Sequence, residues 1–269
     1  MITKKNRLIV VVFFKNGNVV QSKLFKQHKV VGDPYIIIDR LSAWNADEVI
    51  YLNIRPELSN LNRQDKKIKY QNDFDKIIEF VGKKAFMPLT VGGGIKNLHD
   101  VEKYFEMGAD KISINSEIIN NPKLIIEASK IYGSQSIVAS VDVKMDAENK
   151  YSAYINNGKT KIISQLSDYI KQIEDLGAGE LLINNIDRDG MGNGYDLDLL
   201  KLILKVSKLP IIFAGGVGNF NHFLQGIENN LNSVAAGNIF HYTENSYYEA
   251  IKYLHEQNCN TRPPVINFY

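Results

Sequence analysis

Short β-branched apolar runs alternate along this chain with longer stretches in which apolar residues return every three or four positions. The runs are Leu8–Phe14, Glu48–Ile54, Pro88–Val91, Lys111–Ile114, Ile137–Val143, Glu180–Asn184, Pro210–Phe213 and Ser233–Ala236. Their near-continuous apolar character predicts strands buried on both faces, hence a parallel sheet. Between them, patterns such as Leu98–Met107 and Ile163–Leu176 predict helices with one apolar face. Eight runs in 269 residues leave about 34 residues per unit, the size of a βα unit. No Pro-, Gly- or Ser-rich linker interrupts the series. The pattern predicts one α/β domain over residues 1–269, a (β/α)8 barrel. A doubly wound open sheet shares the alternation and is the alternative.

An internal repeat favours the barrel. Pro88-Leu-Thr-Val-Gly-Gly93-Gly94 resembles Pro210-Ile-Ile-Phe-Ala-Gly215-Gly216 at an offset of 122, and Lys111–Asn115 meets Ser233–Gly237 at the same offset. Ile9–Lys15 meets Val138–Lys144 at an offset of 129, and Ala46-Asp-Glu48 meets Ala178-Gly-Glu180 at 132. Four strand pairs in the same order predict two homologous half-barrels, about 1–130 and 131–269.

Composition narrows the partners. The chain is 44% hydrophobic and 23% charged, with 32 Lys+Arg against 30 Asp+Glu, a net charge of +2. This is globular and too balanced to predict nucleic acid or an anionic membrane as a partner. No apolar run approaches the roughly 18 residues of a membrane helix. The basic start, Met1 to Arg7, is followed only by Leu8–Phe14 and no small-residue cleavage site, so it reads as a strand rather than a signal peptide. The single cysteine, Cys259, excludes an intrachain disulfide and a Cys-cluster metal site, and fits a cytoplasmic setting.

Candidate chemistry gathers at the strand ends, where such barrels carry their active sites. Gly92-Gly93-Gly94 and Gly215-Gly216-Val217-Gly218 each follow a strand, and each is followed one unit later by a small polar end, Asn115-Ser116 and Gly237-Asn238. Glycines let backbone N–H groups approach a phosphate, whereas the bland reading is a pair of tight turns. Recurrence at matching places favours two phosphate sites, at Gly93, Gly94, Asn115 and Ser116 and at Gly215, Gly216, Gly237 and Asn238. A ligand phosphorylated at both ends would span them. Asp142 ends the fifth run and Asp189 follows the sixth; both are candidate general acids or bases. The alternatives are a solvated end or a Lys144 partner for Asp142, a turn-forming Asp-Gly for Asp189, and mutual pairing for Asp187 and Arg188. The position matching Asp142 in the first half is Phe13.

At the opposite strand ends stand Arg7, Glu48, Lys111 and Glu180, charges of alternating sign around one opening. They are either a stabilising salt-bridged ring or a gate on a channel through the barrel. The histidines, His28, His99, His222, His241 and His255, lack metal-ligand spacing and read as structural or exposed. The segment Lys144–Lys159, with Asn156-Asn157-Gly158, predicts a hairpin-bearing loop.

The most specific stretches are Gly32-Asp33-Pro34, Thr90-Val91-Gly92-Gly93-Gly94-Ile95, Gly108-Ala109-Asp110-Lys111 with Ser113-Ile114-Asn115, Gly177-Ala178-Gly179-Glu180, and Ile186-Asp187-Arg188-Asp189-Gly190 with Gly194-Tyr195-Asp196. Over nearly the whole chain they resemble HisF, the cyclase subunit of imidazole glycerol phosphate synthase, a lyase of the histidine-biosynthesis barrel family. The resemblance implies a (β/α)8 TIM barrel, no cofactor, and a glutaminase (HisH-like) subunit docked on the N-terminal face. Ammonia released there would cross the barrel and attack a bisphosphorylated ribulosyl substrate. Arg7, Glu48, Lys111 and Glu180 match the family's channel gate, and Asp110 matches a glutaminase-contacting position.

The departures lie at the other face. The family's acid at the end of strand one is here Phe13, within Val11-Val12-Phe13-Phe14-Lys15. A lysine expected in the next loop is Gln21, the acid expected after strand two is Asn53, and the usual Ser-Gly-Gly is Ala214-Gly215-Gly216. Loss of a general acid or base costs about 10²–10⁴ in rate. The expectation is a divergent paralogue that pairs with a glutaminase and conducts ammonia but is a poor cyclase. Such a paralogue resembles those found with bacterial surface-sugar gene sets, and that resemblance implies that the ammonia serves a separate sugar amidotransferase making an acetamidino sugar of lipopolysaccharide or flagellar glycan. The alternatives are a working cyclase relying on Asp142 and Asp189, and a non-catalytic activator of the glutaminase. Phe13 and Phe14 are also candidates for an apolar docking surface at the mouth.

Overall fold

The computed structural model describes residues 5–54 and 74–265, so the first four residues of the basic start lie outside them. The strands begin with β1 (Arg7–Lys15), β2 (Asn18–Lys23), β3 (Gln27–Gly32), β4 (Glu48–Asn53), β5 (Leu89–Gly92) and β6 (Lys111–Ile114). They continue with β7 (Ile137–Met145), β8 (Tyr151–Ile155), β9 (Thr160–Lys161), β10 (Glu180–Asn185), β11 (Ile211–Ala214) and β12 (Ser233–Ala236). The helices are α1 (Pro34–Ala43), α2 (Phe74–Lys84), α3 (Leu98–Glu106), α4 (Glu117–Asn120), α5 (Lys123–Tyr132), α6 (Leu166–Asp175), α7 (Leu197–Val206), α8 (Phe220–Glu228) and α9 (Ser246–Glu256).

Parallel pairing runs β1-β4-β5-β6-β7-β10-β11-β12 and returns from β12 to β1, with Arg7 opposite Ser233. Eight parallel strands thus close a (β/α)8 barrel, and the open sheet is excluded. Each of the eight apolar runs is one barrel strand.

Strand alternation makes two separate cores. Ile9, Val11, Phe13, Ile50, Val138, Leu182 and Ile212 fill the barrel interior. Val10, Val12, Phe14, Val49, Ile112 and Ile183 face outward into the larger core beneath the helices. Phe13 therefore points into the barrel, while Phe14 packs against Phe74 of α2 with ring centroids 5.2 Å apart. Both rings are buried, which corrects the expectation of an exposed docking surface. Helix α6 begins at Leu166 rather than Ile163, because Ile163 is fully solvent-exposed and Gln165 keeps extended backbone.

Two antiparallel extensions stand on the C-terminal rim. β2 folds back on β1, with Phe13 opposite Val20, and β3 pairs with β2. β8 folds back on β7, with Asp142 opposite Tyr154, and β9 follows the Asn156-Asn157-Gly158 turn. The second is the hairpin predicted for Lys144–Lys159; the first escaped the hydrophobic pattern. The hairpins rise from opposite sides of the barrel and meet over its mouth, where Phe25 comes against Gly158.

Candidate active site

At the N-terminal end, strand starts bring four charges into one closed ring. Glu48 accepts from Arg7 and, at 3.0 Å, from Lys111. Glu180 accepts from Arg7 and, at 2.8 Å, from Lys111. Each acid bridges both bases, and Thr90 adds a hydroxyl donor to Glu48 at 3.2 Å. Both glutamates are buried and the two bases only partly so. Neighbouring carboxylates raise Arg7 above its ordinary value against the opposing effect of burial. Desolvation makes such a ring weak support for stability, yet removal of one partner strands a buried charge. Asp110 is exposed beside the ring, and one of its oxygens accepts the Leu89 N–H at 2.8 Å.

At the C-terminal end, Asp142 closes β7 with its carboxylate inside the barrel. It accepts from Asn184 Nδ2 at 3.0 Å and from Asn115 Nδ2 at 3.3 Å. Burial pushes its pKa up to about 7; the two amides act the other way, and Asp189 adds a smaller upward push. A carboxyl poised there can give or take a proton near neutrality. Lys144 is not its partner: the ammonium lies 4.1 Å above the Tyr154 ring and donates to the Gly158 carbonyl at 3.2 Å.

Asp142, Asn184, Phe13, Gly93, Gly94, Asn115 and Ser116 line one cavity of about 380 Å³. The first glycine corner and one candidate acid therefore share a space, faced by an apolar ring. The second corner differs. Gly215, Gly216, Gly237 and Asn238 line a space of about 30 Å³ with Asp189, Phe13 and Phe25, enough for about one water. The β2–β3 turn covers it. Asn238 donates to Ser22 O at 2.7 Å and accepts from Ser22 N at 3.2 Å. Asp189 is buried and accepts from Ser22 Oγ at 2.6 Å and from Phe25 N at 3.1 Å. Burial raises its pKa, against the pull of those two donors.

The glycines also have a packing reason. Gly93 and Gly215 both adopt positive φ, and a Cβ at either would strike the backbone of Asn53 and Asn185, the ends of the preceding strands. His222 is a tether, its Nδ1 accepting the Gly218 N–H at 3.1 Å. Asp187 and Arg188 do not pair: Asp187 accepts the Met145 N–H, while Arg188 donates to the carbonyls of Asn193 and Gly194. Sequence reading missed Asn184, Ser22 and Phe25. For Asn184 a signal existed, since it is a polar residue ending an apolar run beside Asp142. Among the described residues there is no group of three or more His, Cys, Asp or Glu that could hold a metal, and no helix is long and apolar enough to cross a membrane.

A closed (β/α)8 barrel with glycine corners and a buried acid at its mouth, and a charged ring at its base, defines the class. The chain matches the family model described as "Histidine biosynthesis protein" over residues 7–246. It is 34% identical over 263 residues to the imidazole glycerol phosphate synthase subunit HisF of Alkaliphilus metalliredigens, covering 97% of this chain and 100% of that one. HisF subunits of Natranaerobius thermophilus and Hydrogenobaculum sp. are each 35% identical over 257 residues, covering 95% of this chain and 98% of theirs. The chain belongs to the histidine biosynthesis protein family, among its HisF members.

Proposed function

We propose that this chain is the barrel subunit of a glutamine-dependent complex. A HisH-like glutaminase docks on the N-terminal face about Asp110, and ammonia passes the Arg7, Glu48, Lys111 and Glu180 ring into the barrel interior. The ammonia then serves a separate sugar amidotransferase that makes an acetamidino sugar of lipopolysaccharide or flagellar glycan. Cyclase activity is weak or absent. The observation that carries this reading is the contrast between the two ends of one interior. The ring is complete, with each acid held by both bases, while the mouth sets the Phe13 ring where a second acid would face Asp142.

The closed second corner supports the same reading. A bisphosphorylated substrate needs both glycine corners, and the hairpin, tied by Ser22 to Asn238 and Asp189, leaves only about 30 Å³ at one of them. Asp142 favours a second reading, a working cyclase, because it is held by two amides and titrates near neutrality. A third, a non-catalytic activator of the glutaminase, differs in needing no conduit. The Lys111→Ala variant with its glutaminase separates these. A conduit predicts impaired delivery of glutamine-derived ammonia with unchanged use of free ammonium salt. Unchanged delivery contradicts a conduit and favours the activator.

A further inference from the structure

A second cavity, of about 430 Å³, lies where the two rim hairpins meet. Its walls are Lys15 at the end of β1, Lys26 in the β2–β3 turn, His28 on β3, Lys144 at the end of β7, and Lys159 beyond the Asn156–Gly158 turn. Phe25, Ile54 and Ile186 supply apolar wall, and Asp187 is the one acid among the described lining residues. That aspartate already accepts the Met145 N–H at 2.7 Å. Among the described residues, Lys15, Lys26 and Lys144 have no carboxylate within 4.0 Å. Lys15 instead faces His28 Nδ1 at 3.1 Å. Burial and the Lys15 charge push His28 down, so the imidazole is a neutral acceptor there.

Among the described residues, three like charges converge from three separate elements without a counterion. Lys15 and Lys144 occupy matching positions in the two sequence repeats, so the barrel's own pseudo-symmetry brings them to one cleft. Such an arrangement repels itself unless an anion enters. We propose that this cleft binds the diphosphate group of a small molecule, at a site distinct from the two glycine corners. A monophosphate ester brings about −1.5 to −2 charge. A diphosphate brings more charge and more acceptor oxygens, enough to engage ammonium groups on three elements. The volume suits a small molecule, for which sites run about 300–1,000 Å³. Concavity argues against a flat acidic protein surface. Phe25, His28, Ile54 and Asn157 line both this cleft and the mouth cavity, so the organic part of the ligand points toward Asp142. The proposal is independent of what the charged ring delivers.

The test is calorimetric titration of the full chain with inorganic pyrophosphate, inorganic phosphate and sulfate at one ionic strength. Saturable one-site binding of pyrophosphate is expected, about tenfold or more tighter than sulfate, each charge-assisted bond contributing at this scale. Lys26→Gln alters an exposed turn residue and leaves the packing intact; alone it weakens binding several-fold. With Lys144→Gln added, the loss reaches about tenfold or more. Pyrophosphate affinity left unchanged in both lysine variants would move the anion to a glycine corner and overturn the proposal. Absence of saturable binding overturns it too. So does equal binding of a long polyanion such as heparin, which would make the cleft part of a docking surface for acidic macromolecules.

Discussion

Asp142 and Phe13 line one cavity at the mouth, and the proposed function turns on their difference. Asp142 is 7% exposed and its burial moves its pKa from an ordinary 3.8 to about 7. The folded state therefore holds that proton over a pH range in which the unfolded chain has released it. Its stabilising contribution is full below about pH 4 and is lost as pH rises toward about 7. Asp142→Asn removes the ionisable group. The variant should lose this slope and gain a few kcal/mol relative to the native chain above pH 7, read as a Tm difference from the native protein that is more favourable to the variant at pH 8 than at pH 5. Equal slopes in both proteins would mean that the carboxyl is ionised in the fold. Phe13 has no such titration and offers no second carboxyl opposite Asp142.

The β2–β3 hairpin is the element that separates this mouth from an open one. Asp189 holds its turn, through the side chain to Phe25 N and through the backbone carbonyl to Leu24 N at 3.0 Å. Leu24 and Phe25 both sit at positive φ, a costly conformation for such side chains, which persists only because the turn is anchored. Asp189→Ala should raise amide exchange at Phe25 by about tenfold to a hundredfold, the scale of one charge-assisted bond of roughly 1.5–3 kcal/mol. Exchange left unchanged would show the turn to be held by other contacts. This hairpin was illegible in the sequence for a physical reason. Its strands mix apolar with polar residues, and its turn uses Leu and Phe where glycine or asparagine would announce positive φ. The β8–β9 hairpin was legible because Asn156-Asn157-Gly158 does announce its turn. The barrel strands were legible because burial on both faces leaves unbroken β-branched runs. The basic cleft was not, since its lysines converge only through the fold.

Over the whole molecule, the two ends of the barrel carry opposite messages. Glu48 and Glu180 are deeply buried acids that each keep two cationic partners at the base. The sequence revealed that ring as spaced strand-start charges, and the closed register explains why they meet. Among the described residues, Asp142 and one glycine corner share the mouth cavity, while the chain's own hairpin narrows the other corner. These features fit a subunit that passes ammonia on rather than one that closes an imidazole ring. The most direct measurement is turnover of the bisphosphorylated ribulosyl substrate by the purified full chain in high ammonium salt, which bypasses any glutaminase. Turnover lower by about 10²–10⁴ than that of a HisF carrying the strand-one acid is the predicted result. Turnover equal to that enzyme's would contradict the account and make this barrel a cyclase despite Phe13.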